Sequence, residues 1–233
     1  MKMKNLLTIA AIATLLLAFP SCKKDNNQGL NKDKIDMLPG ETYRLTYDAG
    51  ECVWSSQQPL IASVEDGLVT AHLVGNTTIY ANEATCSVTV EPRYNTFREP
   101  LYGSDVTVKD VEKYMSDYTL LGETDAEEGI YCYISKDESS IYAYSFNGPV
   151  LEFSYVLLLD VNLDDIILFL EERYVPLDEE LTGAYLTVDQ QTMVGVLDDI
   201  GENMVAYINV PEGQGFPDMQ SNVAKVRRLA TGR

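Results

Sequence analysis

The sequence predicts a β-rich protein of two parts, an all-β sandwich followed by a two-layer α+β domain in which one antiparallel sheet carries two helices on one face. Short segments in which apolar and polar residues alternate, separated by turn residues, fill 30–92. Two segments with helical spacing then interrupt a longer series of strand-like segments. Acidity also changes along the chain, since 22–93 hold 10 acidic and 6 basic side chains, whereas 94–233 hold 26 and 9.

The first 21 residues are predicted to be a targeting segment and not part of the fold. Two lysines precede the apolar run 6–19, which is shorter than the ~20 residues needed to span a bilayer. Ser21 and Cys22 follow, and then a polar stretch. This arrangement resembles the signal peptide of bacterial lipoproteins of the Bacteroides type, although an ordinary secretory signal is the alternative. The resemblance implies that Cys22 is lipidated, that 22–31 form a polar tether, and that the protein sits in the outer membrane, on its periplasmic side or at the cell surface.

Residues 32–92 are predicted to form short strands with a turn signal about every ten residues. The turn signals are Pro39-Gly40, Asp66-Gly67 and Gly75-Asn76. Between them, apolar residues alternate in the sets Tyr43, Leu45, Tyr47; Val69, Ala71, Leu73; Thr77, Ile79, Ala81; and Cys86, Val88, Val90. Trp54 is the only tryptophan, and we expect it at the centre of this core.

These residues resemble the bacterial Ig-like group 2 domain. The motifs that carry the resemblance, in order, are Pro39-Gly40-Glu41, Val53-Trp54-Ser55-Ser56, Ile61-Ala62-Ser63-Val64, Asp66-Gly67-Leu68-Val69-Thr70-Ala71, Val74-Gly75-Asn76-Thr77-Thr78-Ile79 and Cys86-Ser87-Val88-Thr89-Val90. The resemblance implies an immunoglobulin-like sandwich that serves as a spacer or presentation module on surface proteins and is not catalytic. Cys52 and Cys86 both fall at predicted inward positions, so they either form a disulfide between the sheets or remain two buried thiols.

Residues 93–103 read as a linker, and 104–233 as the acidic α+β domain. We expect helices over 105–118 and 163–175, the second capped by Asn162 and stopped by Pro176. Asn147-Gly148 predicts a hairpin. The predicted strands are 119–123, 130–135, 141–146, 150–159, 184–188, 193–197 and 204–210. The start of this part resembles C-terminal regions of uncharacterised Bacteroides lipoproteins, which implies no activity.

Four tyrosines alternate on two neighbouring predicted strands and make the candidate binding face: Tyr131, Tyr133, Tyr142 and Tyr144. If that face is open, its aromatic rings suit a glycan or a protein partner, and if helices cover it, the rings are core. The opposite set is smaller and more apolar, so we expect it to face the helices instead. That set is Ile130, Cys132, Ile134, Ile141 and Ala143.

The remaining chemistry predicts no catalytic residue, metal or cofactor. A net charge of −19 argues against nucleic acid as a partner, because phosphates need basic side chains. With a single His and no phosphate loop or nucleophile motif, the main hypothesis is a membrane-anchored envelope lipoprotein, in which an Ig-like spacer presents a non-catalytic interaction domain to protein or glycan partners. The alternative is an inhibitor of an envelope or extracellular hydrolase. A third is a carboxylate-dependent glycan hydrolase, for which the acidic clusters are 125–128, 178–180 and 198–202.

Overall fold

The computed structural model describes residues 29–123, 129–177, 183–199 and 202–209, and these are mostly β-sheet with two helices. The N-terminal region, residues 29–92, holds seven strands: β1 (Lys34–Met37), β2 (Thr42–Arg44), β3 (Trp54–Ser56), β4 (Ala62–Glu65), β5 (Leu68–Ala71), β6 (Gly75–Ala81) and β7 (Ala84–Val90). The C-terminal region, residues 93–209, holds α1 (Val108–Tyr114), α2 (Leu163–Glu171), β8 (Thr119–Glu123), β9 (Ile130–Ile134), β10 (Ser140–Asn147), β11 (Val150–Leu158), β12 (Val175–Pro176), β13 (Ala184–Leu186), β14 (Thr192–Asp199) and β15 (Glu202–Asn209). The predicted signal peptide, Cys22 and most of the tether lie outside the described residues.

The N-terminal strands form two sheets, with strand orders β1-β7-β6-β3 and β2-β5-β4. Alternating residues of both sheets meet in one buried apolar cluster, in which Val69, Ile79 and Cys86 are fully buried. The predicted Asp66-Gly67 turn joins β4 to β5, and its two residues have φ values of 47° and 80°. A Cβ on Gly67 would lie 2.5 Å from the Leu45 carbonyl oxygen, so this turn requires glycine.

Contrary to expectation, Trp54 does not lie at the centre of the core. It is only half-buried and packs against the edge of the cluster, since β3 is the outer strand of its sheet. The branched and small side chains of the inner strands fill the centre. The sequence pattern could not reveal this, because strand order depends on contacts between distant segments.

The C-terminal strands form one eight-stranded sheet with the order β12-β13-β14-β15-β11-β10-β9-β8. Every pair in it is antiparallel, as the short predicted turns require. The predicted hairpin is confirmed: Asn147 pairs with Val150 across a turn in which Gly148 has a φ of 59°.

The two helices begin at polar caps. Thr107 and Asp110 form a reciprocal capping box at the start of α1. The predicted cap of α2 is confirmed, because the Asn162 side chain accepts a hydrogen bond of 3.0 Å from the Asp164 N–H. The helix ends at Glu171, however, four residues before the predicted end, because the next two residues turn away to bind the connector between the two regions.

The two helices and the tyrosines belong to one buried cluster. The prediction that the helices cover the other face of the sheet is therefore wrong. Val111 of α1 and Phe169 of α2 belong to the same cluster as Tyr133, Tyr142 and Tyr144. The space between a sheet and a helix takes long side chains, and tyrosine fills it while its hydroxyl reaches a polar atom at the rim. The smaller set around Cys132 and Ala143 lies on the other face, where it is also buried.

A polar cleft as the candidate functional site

The four tyrosines of the candidate binding face do not form an open surface. Tyr142 and Tyr144 are at most 1% exposed, Tyr133 is buried and Tyr131 is half-buried. Tyr142 donates a hydrogen bond of 2.8 Å to the Arg98 carbonyl oxygen, and the Tyr144 hydroxyl lies 3.4 Å from the Met115 sulfur. Burial raises the pKa of Tyr142 and Tyr144 well above the usual range. The four tyrosines lie close together as predicted, but they belong to the packed core and not to an open surface.

Cys52, Cys86 and Cys132 are free thiols, so of the two alternatives for Cys52 and Cys86 the disulfide is not formed. Cys52 precedes β3 and Cys86 lies on β7, and β6 separates these strands within a single sheet. Strands two positions apart are roughly 10 Å apart, which exceeds the ~7 Å Cα separation that a disulfide tolerates. Burial raises the pKa of Cys86 to about 11 and that of Cys132 to about 12, so both thiols keep their protons at neutral pH.

Other candidate groups give no site in the described ranges. The clusters at 125–128 and 178–180 lie outside the described residues, and of 198–202 only the backbone of the flanking strands is described. No three His, Cys, Asp or Glu side chains of the described ranges come together as a metal site. Neither described helix is long and apolar enough to cross a membrane.

A cleft of about 590 Å³ lies between the two regions of the described chain. Both regions contribute to its lining, and Val188 of the C-terminal region also packs against the N-terminal core. The lining residues are Gln57, Gln58, Ile61, Val74, Gly75 and Asn76 from the N-terminal region, and Glu99, Tyr102, Arg173, Tyr174, Thr187, Val188 and Asp189 from the C-terminal region. Its volume falls in the usual range for small-ligand sites.

A buried ion pair lies just after α2, beside the cleft where the two regions meet. The Glu172 carboxylate accepts hydrogen bonds of 3.0 Å from the backbone N–H groups of Arg93 and Tyr94, and one of 2.5 Å from Arg173 Nη1. The Glu172 carbonyl oxygen accepts a 2.7 Å hydrogen bond from Val74 N–H in the N-terminal region. Both charged side chains are more than nine-tenths buried, so each depends on the other for its counter-charge.

Arg173 also connects this pair to the wall of the cleft. Its guanidinium donates to the carbonyl oxygens of Phe169 and Tyr94, at 3.0 and 2.9 Å. Its Nε lies 3.5 Å from Glu99 Oε2, and the Nε–H has no hydrogen-bond partner. Tyr174 donates a hydrogen bond to Glu99 from the other side. Glu99 is therefore held in one position, while its carboxylate is still partly exposed in the cleft.

Three tyrosines form the aromatic wall behind Glu99. The Tyr174 and Tyr207 hydroxyls lie 3.3 Å apart, and the ring of Tyr102 stacks on that of Tyr207 with centroids 5.4 Å apart. Burial, with help from the Glu99 and Asp189 charges, raises the pKa of Tyr102 to about 12. Tyr102 is half-buried and lines the cleft, so it stays neutral and offers an aromatic surface at physiological pH.

The N-terminal region contributes side-chain amides to the cleft lining, and hydrogen bonds fix the backbone that carries two of them. The backbone N–H of Gln57 donates to the Thr78 carbonyl oxygen, and that of Gln58 donates to Thr77 Oγ1, both at 2.9 Å. In the part of the chain that the structure describes, the side-chain amide groups of Gln57, Gln58 and Asn76 make no hydrogen bond. Their donors and acceptors are free for a ligand.

Sequence patterns do not reveal this cleft. Glu172 and Arg173 follow Leu170 as an ordinary charged helix end, and Gln57 and Gln58 look like a polar loop. The only available signal was a Glu-Arg pair between apolar residues and ahead of Pro176, where a helix has to end. Comparison of the chain with protein-family models, curated proteins and solved structures gave no match.

Proposed function

We propose that this chain is a lipid-anchored envelope protein of the outer membrane, which binds a protein or glycan partner and catalyses no reaction. In this proposal Cys22 carries the lipid and 22–31 form the tether. An Ig-like domain of the bacterial group 2 type, residues 32–92, is joined through the linker 93–103 to the acidic α+β domain 104–233. Two helices of that domain cover one face of its antiparallel sheet. Function is inferred from the site and not from the fold.

The observation that carries the proposal is the cleft, because free side-chain amides from one region line the same cavity as a fixed carboxylate and an aromatic ring from the other. A pure spacer would need no such lining. We therefore extend the spacer hypothesis: the Ig-like domain both holds the second domain away from the membrane and supplies half of the recognition site. The buried Glu172–Arg173 pair supports this arrangement, since it fixes the connector and the backbone at Val74 in one network.

The other candidate functions have less support. An inhibitor was expected to insert an exposed tyrosine face into a basic cleft, and that face is buried. The acidic clusters that suggested a hydrolase lie outside the described residues or have side chains that are not described.

The proposal is tested by blocking the cleft. Asn76 is exposed at the start of β6, and Glu83 is exposed at the far end of the same hairpin, about 20 Å away. The full chain, purified in detergent, would be immobilised and exposed to envelope extract as wild type, Asn76→Trp and Glu83→Trp. We expect the wild type and Glu83→Trp to retain the same partner and Asn76→Trp to lose it. Equal retention by all three proteins would refute a binding role for the cleft.

A further inference from the structure

We infer that the cleft binds a neutral oligosaccharide through its hydroxyl groups and one pyranose face. This inference rests on the proposed function, because it names the ligand class of the same site. Its basis is the combination of free amides, fixed carboxylate and aromatic ring in one cavity of about 590 Å³.

The hydrogen-bonding groups of the cleft discriminate between ligand classes. Gln57, Gln58 and Asn76 each offer a free donor pair and a free acceptor, while Glu99 and Asp189 offer acceptors only. A sugar hydroxyl donates and accepts at once, so it can satisfy both kinds of group. An ammonium group cannot accept from the amides, and a phosphate or carboxylate cannot donate to Glu99.

The charges of the lining exclude an anionic ligand. Glu99 and Asp189 line the cleft together with a single cation, Arg173, whose charge Glu172 and Glu99 already balance at 2.5 and 3.5 Å. An anion entering the cleft would meet net negative charge, and the described lining offers no free cation to neutralise it. A neutral ligand has no such penalty, and its binding should be insensitive to salt.

The aromatic wall supplies the apolar half of sugar recognition. Tyr207 covers one face of the Tyr102 ring, so this ring is braced from behind while the residue lines the cleft. A braced aromatic surface matches the C–H face of a pyranose, and the surrounding planar groups can each bridge neighbouring hydroxyls. Asp189 is also fixed, because its Oδ1 accepts hydrogen bonds from the Thr187 hydroxyl at 2.5 Å and from Gln191 N–H at 3.1 Å.

The test is a titration of the full chain in detergent with defined probes. These are neutral hexasaccharides of glucose, mannose, xylose and N-acetylglucosamine, with hexagalacturonate and hexalysine as anionic and cationic comparisons. The variant is the double substitution Gln57→Ala/Asn76→Ala, whose side chains make no hydrogen bonds within the described chain. Glu83→Ala at the far end of the β6–β7 hairpin is the control.

We expect at least one neutral hexasaccharide to bind, with a Kd unchanged between about 0.05 and 0.5 M salt. The double amide variant should weaken binding roughly tenfold or more, whereas Glu83→Ala should bind like wild type. Failure of every neutral probe to bind overturns the inference, and so does binding that the double variant leaves unchanged. Salt-sensitive binding of hexalysine alone overturns the sugar class but leaves the cleft as a binding site. The partner-binding role in the proposed function is tested separately, and it fails if Asn76→Trp retains the envelope partner.

Discussion

Removal of the buried Glu172 carboxylate beside the cleft should strongly destabilise the protein. In Glu172→Ala, two backbone N–H groups, those of Arg93 and Tyr94, lose their acceptor, at about 1–3 kcal/mol each. Arg173 keeps two carbonyl partners but loses its 2.5 Å counter-ion and has only Glu99 at 3.5 Å. Because these terms overlap, we expect a total loss of about 3–5 kcal/mol in the free energy of unfolding, which is the range for breaking a buried ion pair.

Urea unfolding, followed by two signals, measures this loss. Trp54 is the only tryptophan, and it packs against the N-terminal core, so its fluorescence reports that region. Far-UV circular dichroism reports both regions. Glu171→Ala is the matched control, since Glu171 is an exposed acid at the end of the same helix, and its removal should change stability by less than about 0.5 kcal/mol. If Glu172→Ala is no less stable than Glu171→Ala, the buried ion pair does not stabilise the folded chain.

Three further predictions concern the core, the thiols and the anchor. Tyr144→Ala should lower the free energy of unfolding by about 3–5 kcal/mol because the side chain is fully buried, and Tyr131→Ala should lower it by less. Urea unfolding measures both values, and equally small losses would indicate that the tyrosine face is open. Cys86 and Cys132 keep their protons in the folded chain up to about pH 11 and 12, and unfolded thiols lose theirs near 9, so the free energy of unfolding should fall as pH rises from 9 to 11. Replacing both cysteines by alanine should make this fall in the free energy of unfolding less steep. An unchanged slope would contradict the raised thiol pKa values. The full chain should partition into membranes through Cys22, and Cys22→Ser should release it into the soluble fraction; membrane retention of Cys22→Ser would exclude the lipid anchor.

Local patterns were sufficient to predict most of the elements. Residues 119–123 were expected as a strand with the observed bounds, and the Asn147-Gly148 hairpin and the Asn162 cap form as expected. Each of these features depends on neighbouring residues, because strand alternation, turn conformation and helix capping act over only a few positions.

Features that depend on distant contacts were not predicted. The choice of sheet face for the helices was wrong, because both faces of β9 and β10 are apolar, and only the packing of α1 and α2 decides between them. The end of α2 was placed too late, since its position depends on hydrogen bonds that the Glu172 carboxylate accepts from backbone N–H groups nearly eighty positions earlier. The cleft was missed for the same reason: Gln57 and Asp189 meet only after both regions have folded.

Backbone amide NMR shifts test most directly whether both regions bind one ligand in the cleft. The full chain would be titrated with the hexasaccharide that binds most tightly. We expect the shifted amides to fall in three separate segments at once, 57–58, 74–76 and 187–189, which the chain brings together only at the cleft. Shifts confined to one region, or centred on another part of the surface, would contradict the claim.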